Sequence, residues 1–297
     1  MLTQLTEAPV MCTSMHNVSL LRLDQTGGLA PGNKHFKLMG NLAEARRLGV
    51  NRLVSFGGAW SNHLHALAAV GREQGFETIG IVRGDDDVAE TAMLADARGW
   101  GMKIVKVSRA EYRRRFEESY LDEARSRFAP CLLIPEGGAN IEGVRGCMAI
   151  ADLVKTAAPA MRRLVVSVGT GTTLAGLVAG LGHAYNITGV SALKAATDLE
   201  QRVGESLDLL NVPQAAQWRI LHEDHCGGFA RANAGLREFM LEFERVQGIA
   251  LEPVYTGKMM YAIHGRLASG AWRRDEPLLA VHTGGLQGRR GYRWLEG

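Results

Sequence analysis

Residues 163–181 read RLVVSVGTGTTLAGLVAGL: an apolar, β-branched run, a glycine-threonine loop and then a longer apolar run. The first run has the length and composition of a buried strand, and the second has the length of a helix. A buried strand that enters a helix through a tight loop is the repeating unit of parallel α/β sheets. This stretch therefore predicts an α/β fold.

The same alternation of strand-like and helix-like runs extends over most of the chain. VSLLRL (18–23), RLVSFG (52–57) and LLAVHTGG (278–285) have strand character, whereas LMGNLAEARRLG (38–49) is typical of a helix that ends at a glycine. A charged stretch near 110–127 predicts one further helix. The pattern indicates a mainly parallel sheet covered by helices on both faces, without internal repeats or low-complexity linkers.

Composition excludes several classes of protein. The chain has 297 residues, is 46% hydrophobic and carries a formal net charge of +3, so a nucleic-acid partner is not expected. The basic run 113–115 lies between glutamates and predicts a solvated helix face. No run approaches the roughly 20 apolar residues of a membrane span, and the first residues lack a signal-peptide pattern. We expect a cytoplasmic protein without membrane contacts.

The cysteines and histidines give no metal-binding pattern. The four cysteines are far apart and form no CxxC pair, so free thiols are expected rather than a metal site or a disulfide framework. His63 and His65 are two residues apart and would point to different faces of a helix. Neither HExxH nor GxSxG occurs, which leaves a zinc protease and a serine hydrolase without support. The cysteines are Cys12, Cys131, Cys147 and Cys226.

The loop at 169–173 is a candidate phosphate site. Glycines allow the backbone to approach an anion, and the following helix offers free N–H groups and the positive end of its dipole. A Walker A lysine is missing, and Leu174 occupies the position of the third glycine of a dinucleotide fingerprint. The loop therefore suits a terminal phosphate monoester, and an ordinary strand-helix turn is the alternative. Its residues are Gly169, Thr170, Gly171, Thr172 and Thr173.

Two further stretches contribute polar groups. In FGGAWSNH (56–63), Ser61 and Asn62 either cap a helix or place its N-terminus against a carboxylate. In GLAPGNKHFKL (28–38), a lysine next to a glycine-asparagine turn suggests pyridoxal phosphate bound through Lys34, because no nucleotide motif accompanies the phosphate loop. A surface lysine is the alternative for Lys34, and Lys37 is the competing candidate.

The ordered motifs resemble one known family. GLAPGNKHFKL, FGGAWSNH, IPEGGAN, VGTGTTLAGL, LEPVYTGK and HTGG follow one another between about residue 20 and about residue 288. This series is similar to that of the D-cysteine desulfhydrase and 1-aminocyclopropane-1-carboxylate deaminase family, fold-type II pyridoxal phosphate enzymes related to the tryptophan synthase β-subunit. The resemblance implies two open, twisted, mainly parallel sheets in a three-layer αβα arrangement. It also implies a homodimer, a large domain of residues 1–35 and 146–297, and a small domain of residues 36–145.

The resemblance also implies roles for the candidate residues. Lys34 would bind the cofactor covalently, and Asn62 would donate a hydrogen bond to the phenolic oxygen of the cofactor. Ser61 would meet the substrate carboxylate and take part in proton transfer. Tyr255 would be the active-site tyrosine, Thr283 would face the pyridine nitrogen, and the loop 169–173 would bind the phosphate.

Two positions bear on the substrate. Ring-opening members of the family resemble PVYEGK and HLGG, whereas this chain has Thr256 and Thr283 in place of the glutamate and leucine. A neutral hydroxyl near the pyridine nitrogen keeps it protonated less well than a carboxylate would. The resemblance therefore implies β-elimination from D-cysteine to pyruvate, ammonia and sulfide. The alternatives are 1-aminocyclopropane-1-carboxylate deamination, deamination of another D-amino acid, and a non-catalytic pyridoxal phosphate protein.

The chain departs from the family pattern beside the predicted site. Pro31, His35 and Phe36 stand where the family has glycine, threonine and arginine, and Trp60 precedes the serine-asparagine pair. We expect Trp60 to reshape the pocket over the cofactor, with ordinary packing as the alternative. These departures leave the predicted cofactor residues in place and concern the substrate.

Overall fold

The computed structural model describes residues 10–13, 15, 17–84, 90–212 and 215–295. The side chain of Cys12 lies outside the described part, so its free thiol stays a prediction. None of the other three cysteines, Cys131, Cys147 and Cys226, takes part in a disulfide bond within the described part of the chain.

Strands and helices alternate along the described chain. The strands are β1 (Val10–Cys12), β2 (Val18–Arg22), β3 (Arg52–Gly58), β4 (Glu77–Arg83), β5 (Lys103–Val107), β6 (Leu132–Ile134), β7 (Arg163–Val168), β8 (Asn186–Ser191), β9 (Gln217–Leu221) and β10 (Leu278–His282). The helices are α1 (Asn33–Arg47), α2 (Asn62–Gln74), α3 (Ala92–Gly99), α4 (Arg109–Arg113), α5 (Glu118–Phe128), α6 (Ile141–Ala157), α7 (Thr172–Leu181), α8 (Leu199–Leu209), α9 (Ala234–Gln247) and α10 (Thr256–Ala268).

The strands form two sheets, as predicted. The larger sheet has the order β1-β2-β10-β7-β8-β9, and the smaller has the order β5-β4-β3-β6. Every pair in the smaller sheet is parallel, and in the larger sheet the edge strand β1 pairs antiparallel with β2. Parallel strands end at the same edge, so the loops after β7 and β10 leave the larger sheet together.

The chain divides into two compact units. The first comprises Met1–Gly27, Pro31–Asn33 and Cys147–Arg289 and holds the larger sheet. The second comprises Gly28–Ala30, Lys34–Gly146 and Arg290–Gly297 and holds the smaller sheet. Whether these units are the functional domains predicted from the resemblance stays a prediction.

Both faces of the smaller sheet are covered because alternate strand residues are apolar. Leu53 and Val82 join a core with residues of α1, α2 and α3, whereas Val54, Phe56 and Ile81 join a second core with residues of α4 and α5. This alternation is the period-two pattern of a strand with two buried faces.

The helix predicted near 110–127 is wrong as a single element, because the chain forms α4 and α5 with a break between them. Arg115 lies at this break, where its Nε donates to Glu136 Oε2 over 2.6 Å. Its guanidinium also lies over the rings of Tyr112 and Phe116, 4.5 and 4.1 Å from their centroids. These contacts turn one arginine of the basic run inward, away from the solvated face that the sequence predicts.

Helices α1 and α6 cross closely at two glycines of the second unit, and this contact should be sensitive to a single methyl group. A Cβ on Gly40 would overlap the carbonyl oxygen of Glu142, and a Cβ on Gly146 would overlap that of Phe36. We expect Gly40→Ala to lower the free energy of unfolding by about 1–3 kcal/mol through overpacking, measured by urea denaturation.

Gly204→Ala is the matched control for this substitution. Gly204 lies inside α8, and a Cβ there meets no atom within 4 Å. Alanine has the higher helix propensity, so this variant should gain up to about 1 kcal/mol. Equal stabilities for the two variants would contradict the close crossing of α1 and α6.

Candidate active site

The loop between β7 and α7 has the geometry of an anion site. Gly171 is the N-cap of α7 with φ 84°, a left-handed conformation that favours glycine, and no side chain caps the helix. The first N–H groups of a helix lack intrahelical partners and lie at the positive end of its dipole. The hydroxyls of Thr170 and Thr172 lie 2.9 Å apart beside them. These donors, with no competing side-chain cap, fit a phosphate group.

Asn33 connects this loop to the loop after β10. Its buried side-chain Nδ2 donates to Thr173 Oγ1 over 2.9 Å, and its backbone N–H donates to the Thr283 carbonyl over 3.0 Å. Gly32 also pairs with Gly284 in an isolated bridge. The residue that follows Asn33 in the chain is Lys34. Asn33 was not predicted as a site residue, because its partners are more than a hundred residues away in the sequence.

A buried polar cluster supports the end of β10. Thr283 Oγ1 lies 3.2 Å from Ser167 Oγ, so two neutral hydroxyls meet at the ends of β10 and β7. His282 places Nδ1 3.0 Å from Asp24 Oδ1 and donates from Nε2 to the Ala250 carbonyl over 2.9 Å. Burial raises the pKa of Asp24, but hydrogen bonds from His282 and Arg22 outweigh it and hold the pKa well below its usual range. Asp24 therefore stays ionised and fixes His282.

Tyr255 lies beside the phosphate loop, and Glu252 holds its backbone. Glu252 is buried and accepts hydrogen bonds from the N–H groups of Val254, Tyr255 and Thr256 over 2.8, 2.6 and 2.7 Å. Burial raises the pKa of this carboxyl, although the three N–H groups oppose the shift. A Cβ on Gly169 would lie 3.0 Å from the Tyr255 ring, so a larger residue there would have to displace the ring slightly.

Thr256 does not present its hydroxyl to a ligand. The residue is fully buried, and its Oγ1 accepts a hydrogen bond from the Glu252 N–H over 2.9 Å. The resemblance to ring-opening enzymes had suggested Thr256, together with Thr283, as a neutral residue near the pyridine nitrogen. The structure instead joins the Thr256 hydroxyl to the Glu252 backbone and leaves Thr283, with Ser167, as the pair of neutral hydroxyls.

The two candidate lysines lie three residues apart at the start of α1, in the second unit. Lys37 is buried, and its Nζ donates to the Gly137 carbonyl over 3.0 Å. Lys34 is half-buried. This contact uses one of the three hydrogens of Lys37 Nζ, and the assignment of Lys34 as the cofactor lysine stays a prediction.

Ser61 and Asn62 lie at the N-terminus of α2. Ser61 is the N-cap, and its Oγ accepts a hydrogen bond from the Leu64 N–H over 3.2 Å. The capping interpretation is therefore confirmed. A capping hydroxyl keeps its own proton for donation, so the predicted contact with a substrate carboxylate remains compatible with this geometry. The roles of Ser61 and Asn62 toward ligands stay predictions.

His63 and His65 on the same helix have different partners. His63 Nε2 lies 2.9 Å from Ser55 Oγ, and His65 Nε2 lies 3.1 Å from Asp96 Oδ2. Burial, reinforced by the positive charges of Lys37 and Lys34, lowers the pKa of His63 to about 3. His63 is therefore neutral at physiological pH.

The departures from the family pattern mainly take part in packing. Phe36 is buried, and the partly buried His35 lies edge-on against it with ring centroids 6.0 Å apart. A Cβ on Gly291 would lie 3.2 Å from the Trp60 indole, so Trp60 packs on the C-terminal segment of the same unit. This contact supports the packing alternative for Trp60. The Pro31 carbonyl oxygen lies close to Gly284, and a Cβ on Gly284 would be only 2.7 Å from that oxygen.

The described residues contain neither a cluster of metal-binding side chains nor a membrane-spanning helix. No group of three or more histidine, cysteine, aspartate or glutamate residues there could hold a metal ion. None of the helices in the described ranges combines the length and apolar character needed to cross a membrane.

Comparison with known proteins identifies the class. The family described as pyridoxal-phosphate dependent enzyme matches residues 14–284. A provisionally named 1-aminocyclopropane-1-carboxylate deaminase from Thermotoga maritima is 30% identical over 285 residues, which cover 92% of this chain and 89% of the relative. The chain belongs to the pyridoxal-phosphate dependent enzyme family, so its cofactor is pyridoxal phosphate.

Solved structures share the fold. A crystal structure of an ACC deaminase homologue has a TM-score of 0.82 at 23% identity and covers 98% of this chain and 93% of its own. A hydrogen sulfide-producing enzyme from Fusobacterium nucleatum has a TM-score of 0.65 at 12% identity, with 94% and 96% covered. The fold-type II arrangement predicted from the motifs is confirmed.

The Asn33 contact with Thr173 should matter for cofactor binding. We expect Asn33→Ala to weaken the binding of pyridoxal phosphate about tenfold, because the loop 169–173 loses a buried hydrogen bond that holds its position. Titration of the cofactor into the protein, followed by absorbance, measures the dissociation constant. Asn186→Ala, at the exposed first position of β8, is the control and should bind as the wild type does. Unchanged binding by Asn33→Ala would contradict this role.

The buried His63 should make stability depend on pH. Its pKa is lowered on folding, so the unfolded chain takes up a proton below about pH 6.5 and stability is lost as the pH falls toward 3. We expect His63 to account for a loss of about 2 kcal/mol between pH 6.5 and pH 5. Urea denaturation at both pH values should show a smaller loss for His63→Gln. The exposed His183→Gln should behave as the wild type does.

Proposed function

We propose that this chain is a pyridoxal phosphate-dependent lyase that acts on a small amino acid, with β-elimination from D-cysteine as the favoured reaction. The observation that carries the proposal is the position of Asn33, which binds the phosphate-type loop and the Thr283 backbone and directly precedes Lys34. This arrangement supports a covalently held cofactor with its phosphate at the N-terminus of α7.

Each candidate residue has a separate role in the proposed reaction. The loop 169–173 binds the phosphate through N–H groups and hydroxyls, and Asn62 orients the cofactor ring. Ser61 and the N-terminus of α2 bind the substrate carboxylate, and Tyr255 orients the substrate. Lys34 holds the cofactor and, once displaced by the substrate amine, accepts the proton from Cα at Nζ.

The overall reaction converts D-cysteine and water to pyruvate, ammonia and hydrogen sulfide. When bound, the cofactor delocalises the electron pair left at Cα. Loss of the Cα proton to Lys34 and departure of the thiol from Cβ as HS⁻ then form the new Cα–Cβ double bond. The HS⁻ takes up the proton held by Lys34 and is released as hydrogen sulfide, which returns Lys34 to its neutral form. The released enamine takes up water, which gives pyruvate and ammonia.

The neutral pair of Thr283 and Ser167 supports β-elimination. These hydroxyls lie 3.2 Å apart and carry no charge. A neutral partner of the pyridine nitrogen makes the cofactor a weaker electron sink than a carboxylate would. Expulsion of a thiol needs less of this assistance than opening an unactivated ring. The carboxylate of Glu252, near Thr256, already accepts hydrogen bonds from three backbone N–H groups.

Ring opening of 1-aminocyclopropane-1-carboxylate is the second candidate, and the name given to the Thermotoga maritima relative favours it. Deamination of another D-amino acid and non-catalytic cofactor binding are the remaining alternatives. The homodimer and the cytoplasmic location predicted from the sequence belong to the same proposal.

A substrate panel tests the proposal. D-cysteine, L-cysteine, D-serine and 1-aminocyclopropane-1-carboxylate are incubated in parallel with the cofactor-loaded protein, and keto acid, ammonia and sulfide are measured. We expect turnover of D-cysteine with equal amounts of pyruvate and sulfide, and little turnover of the cyclopropane substrate. Keto acid from the cyclopropane substrate alone would establish the second candidate, and no product from any substrate would favour a binding protein.

Borohydride reduction of the loaded protein tests the lysine assignment. We expect the reduced cofactor on Lys34, located by tandem mass spectrometry, and loss of both the label and the visible absorbance band in Lys34→Ala. The exposed Lys155→Ala is the matched control and should keep both. A label on Lys37 in the wild-type protein would overturn the assignment.

A further inference from the structure

Lys258 is a lysine that the proposed reaction does not use, and it is almost completely buried. The residue is 1% exposed and lies in the first turn of α10. Buried lysines are nearly always paired with a carboxylate, but none of the ion pairs among the described residues includes Lys258. The positive end of the α10 dipole also disfavours a cation at this position. Lys258 therefore carries two costs to stability that a specific contact has to offset.

Two backbone carbonyls take the place of a carboxylate. Lys258 Nζ donates to the Gly228 carbonyl over 2.7 Å and to the Ala192 carbonyl over 3.2 Å. Ala192 directly follows the strand β8, whereas Gly228 lies in the turn 226–230, which we call the Phe229 turn. Burial lowers the pKa of Lys258 to about 8, so the group is still mainly charged at neutral pH. The lysine therefore ties the Phe229 turn to the end of the larger sheet.

The Phe229 turn has a backbone that needs support from outside. All of its residues except Phe229 have a positive φ, from 50° to 108°. Two of them, Cys226 and Ala230, are not glycine, and a side chain makes this left-handed conformation energetically costly. Such a conformation persists only where the surrounding structure holds it. The hydrogen bond from Lys258 reaches the middle of the turn, where it provides this support.

Phe229 itself lies against the candidate active-site tyrosine. The phenylalanine is 56% exposed, so core packing does little to determine where its ring lies. The ring meets that of Tyr255 edge-on, with centroids 6.4 Å apart and planes at 68°. The Tyr255 ring in turn borders Gly169 of the phosphate loop. The backbone of the Phe229 turn therefore sets the contact between these two rings.

We propose that Lys258 is a positioning residue for Tyr255. By holding the Phe229 turn, it keeps the Phe229 ring against the Tyr255 ring and so fixes that ring beside the phosphate loop. The inference rests on the proposed function, in which Tyr255 orients the substrate. The Glu252 carboxylate holds the backbone of Tyr255, and Lys258 holds its ring through Phe229. Backbone and ring are thus held by separate contacts of the same unit.

Lys258→Met separates this role from a contribution to overall stability. Replacing buried charged groups with apolar ones of similar volume is often neutral for stability. The Gly228 carbonyl also keeps a partner, because it accepts a hydrogen bond from the Arg231 N–H over 3.1 Å. Phe229→Ala removes the ring contact itself. Lys194→Met is the matched control, because Lys194 is exposed and its Cβ borders Gly228, 3.3 Å from the position of a Cβ there.

The measurement is nitration of Tyr255 by tetranitromethane in the cofactor-loaded protein, followed by mass spectrometry. We expect nitration to be about fivefold faster in Lys258→Met and in Phe229→Ala, because the Tyr255 ring loses an aromatic contact that limits its exposure. The double variant should be no faster than Phe229→Ala, because both changes remove the same contact. Lys194→Met should match the wild type.

Tyr261 lies on the same helix as Lys258 and is the internal reference. Faster nitration of both Tyr261 and Tyr255 in Lys258→Met would show that α10 as a whole has loosened, and would overturn the positioning role. Unchanged nitration of Tyr255 in Lys258→Met or in Phe229→Ala would overturn it as well. Should Lys258→Met not fold, Lys258→Gln takes its place with the same expected outcomes. Glutamine keeps a hydrogen-bond donor in the buried site but ends one bond short of Nζ.

A kinetic measurement connects this role with the substrate. In the loaded enzyme, Lys258→Met should raise the KM for D-cysteine about tenfold, the effect of one lost hydrogen bond, and change kcat less. A lower kcat at unchanged KM would indicate only a loss of folded protein and would overturn the role. No turnover by the wild type would refute the proposed function but leave the nitration result standing, so the two failures are distinguishable.

Discussion

The buried amide of Asn33 is the interaction on which the rest of the candidate site depends. Its side chain donates to Thr173 in the loop after β7, and its backbone donates to Thr283 after β10. One residue thus sets the spacing between two loops that leave the larger sheet at the same edge, and it immediately precedes Lys34. A buried amide without these partners would carry a desolvation cost, so the three segments are held as a set.

Most polar groups described for the first unit are either uncharged or have hydrogen-bond and ion-pair partners. The Glu252 carboxylate accepts hydrogen bonds from the N–H groups at the start of α10. Asp24 is paired with Arg22 and His282. These buried charges shape the backbone around Tyr255 and Thr283. The hydroxyls that remain, on Thr283 and Ser167, are uncharged. The first unit therefore offers the positive end of a helix dipole to an anion and neutral hydroxyls to a ring.

Much of the fold could be predicted from the sequence because strand-loop-helix units repeat locally. The loop 169–173 and the lysine pair of Lys34 and Lys37 could be proposed in the same way, since glycines and lysines in short motifs are visible in one window. The contacts that orient them could not. Asn33 and Thr173 are 140 residues apart, and Glu252 resembles any other glutamate before a proline. Trp60 was expected either to reshape the pocket over the cofactor or to pack, and the motif alone could not show that its ring lies against Gly291.

In the second unit, by contrast, the positive charges of two lysines act on a buried histidine. A buried imidazole between cations cannot become charged at physiological pH, so His63 acts only through its hydrogen bonds. One of them is fixed on Ser55, which belongs to the rigid strand β3. The ring is therefore locked in orientation and tautomer before any ligand binds.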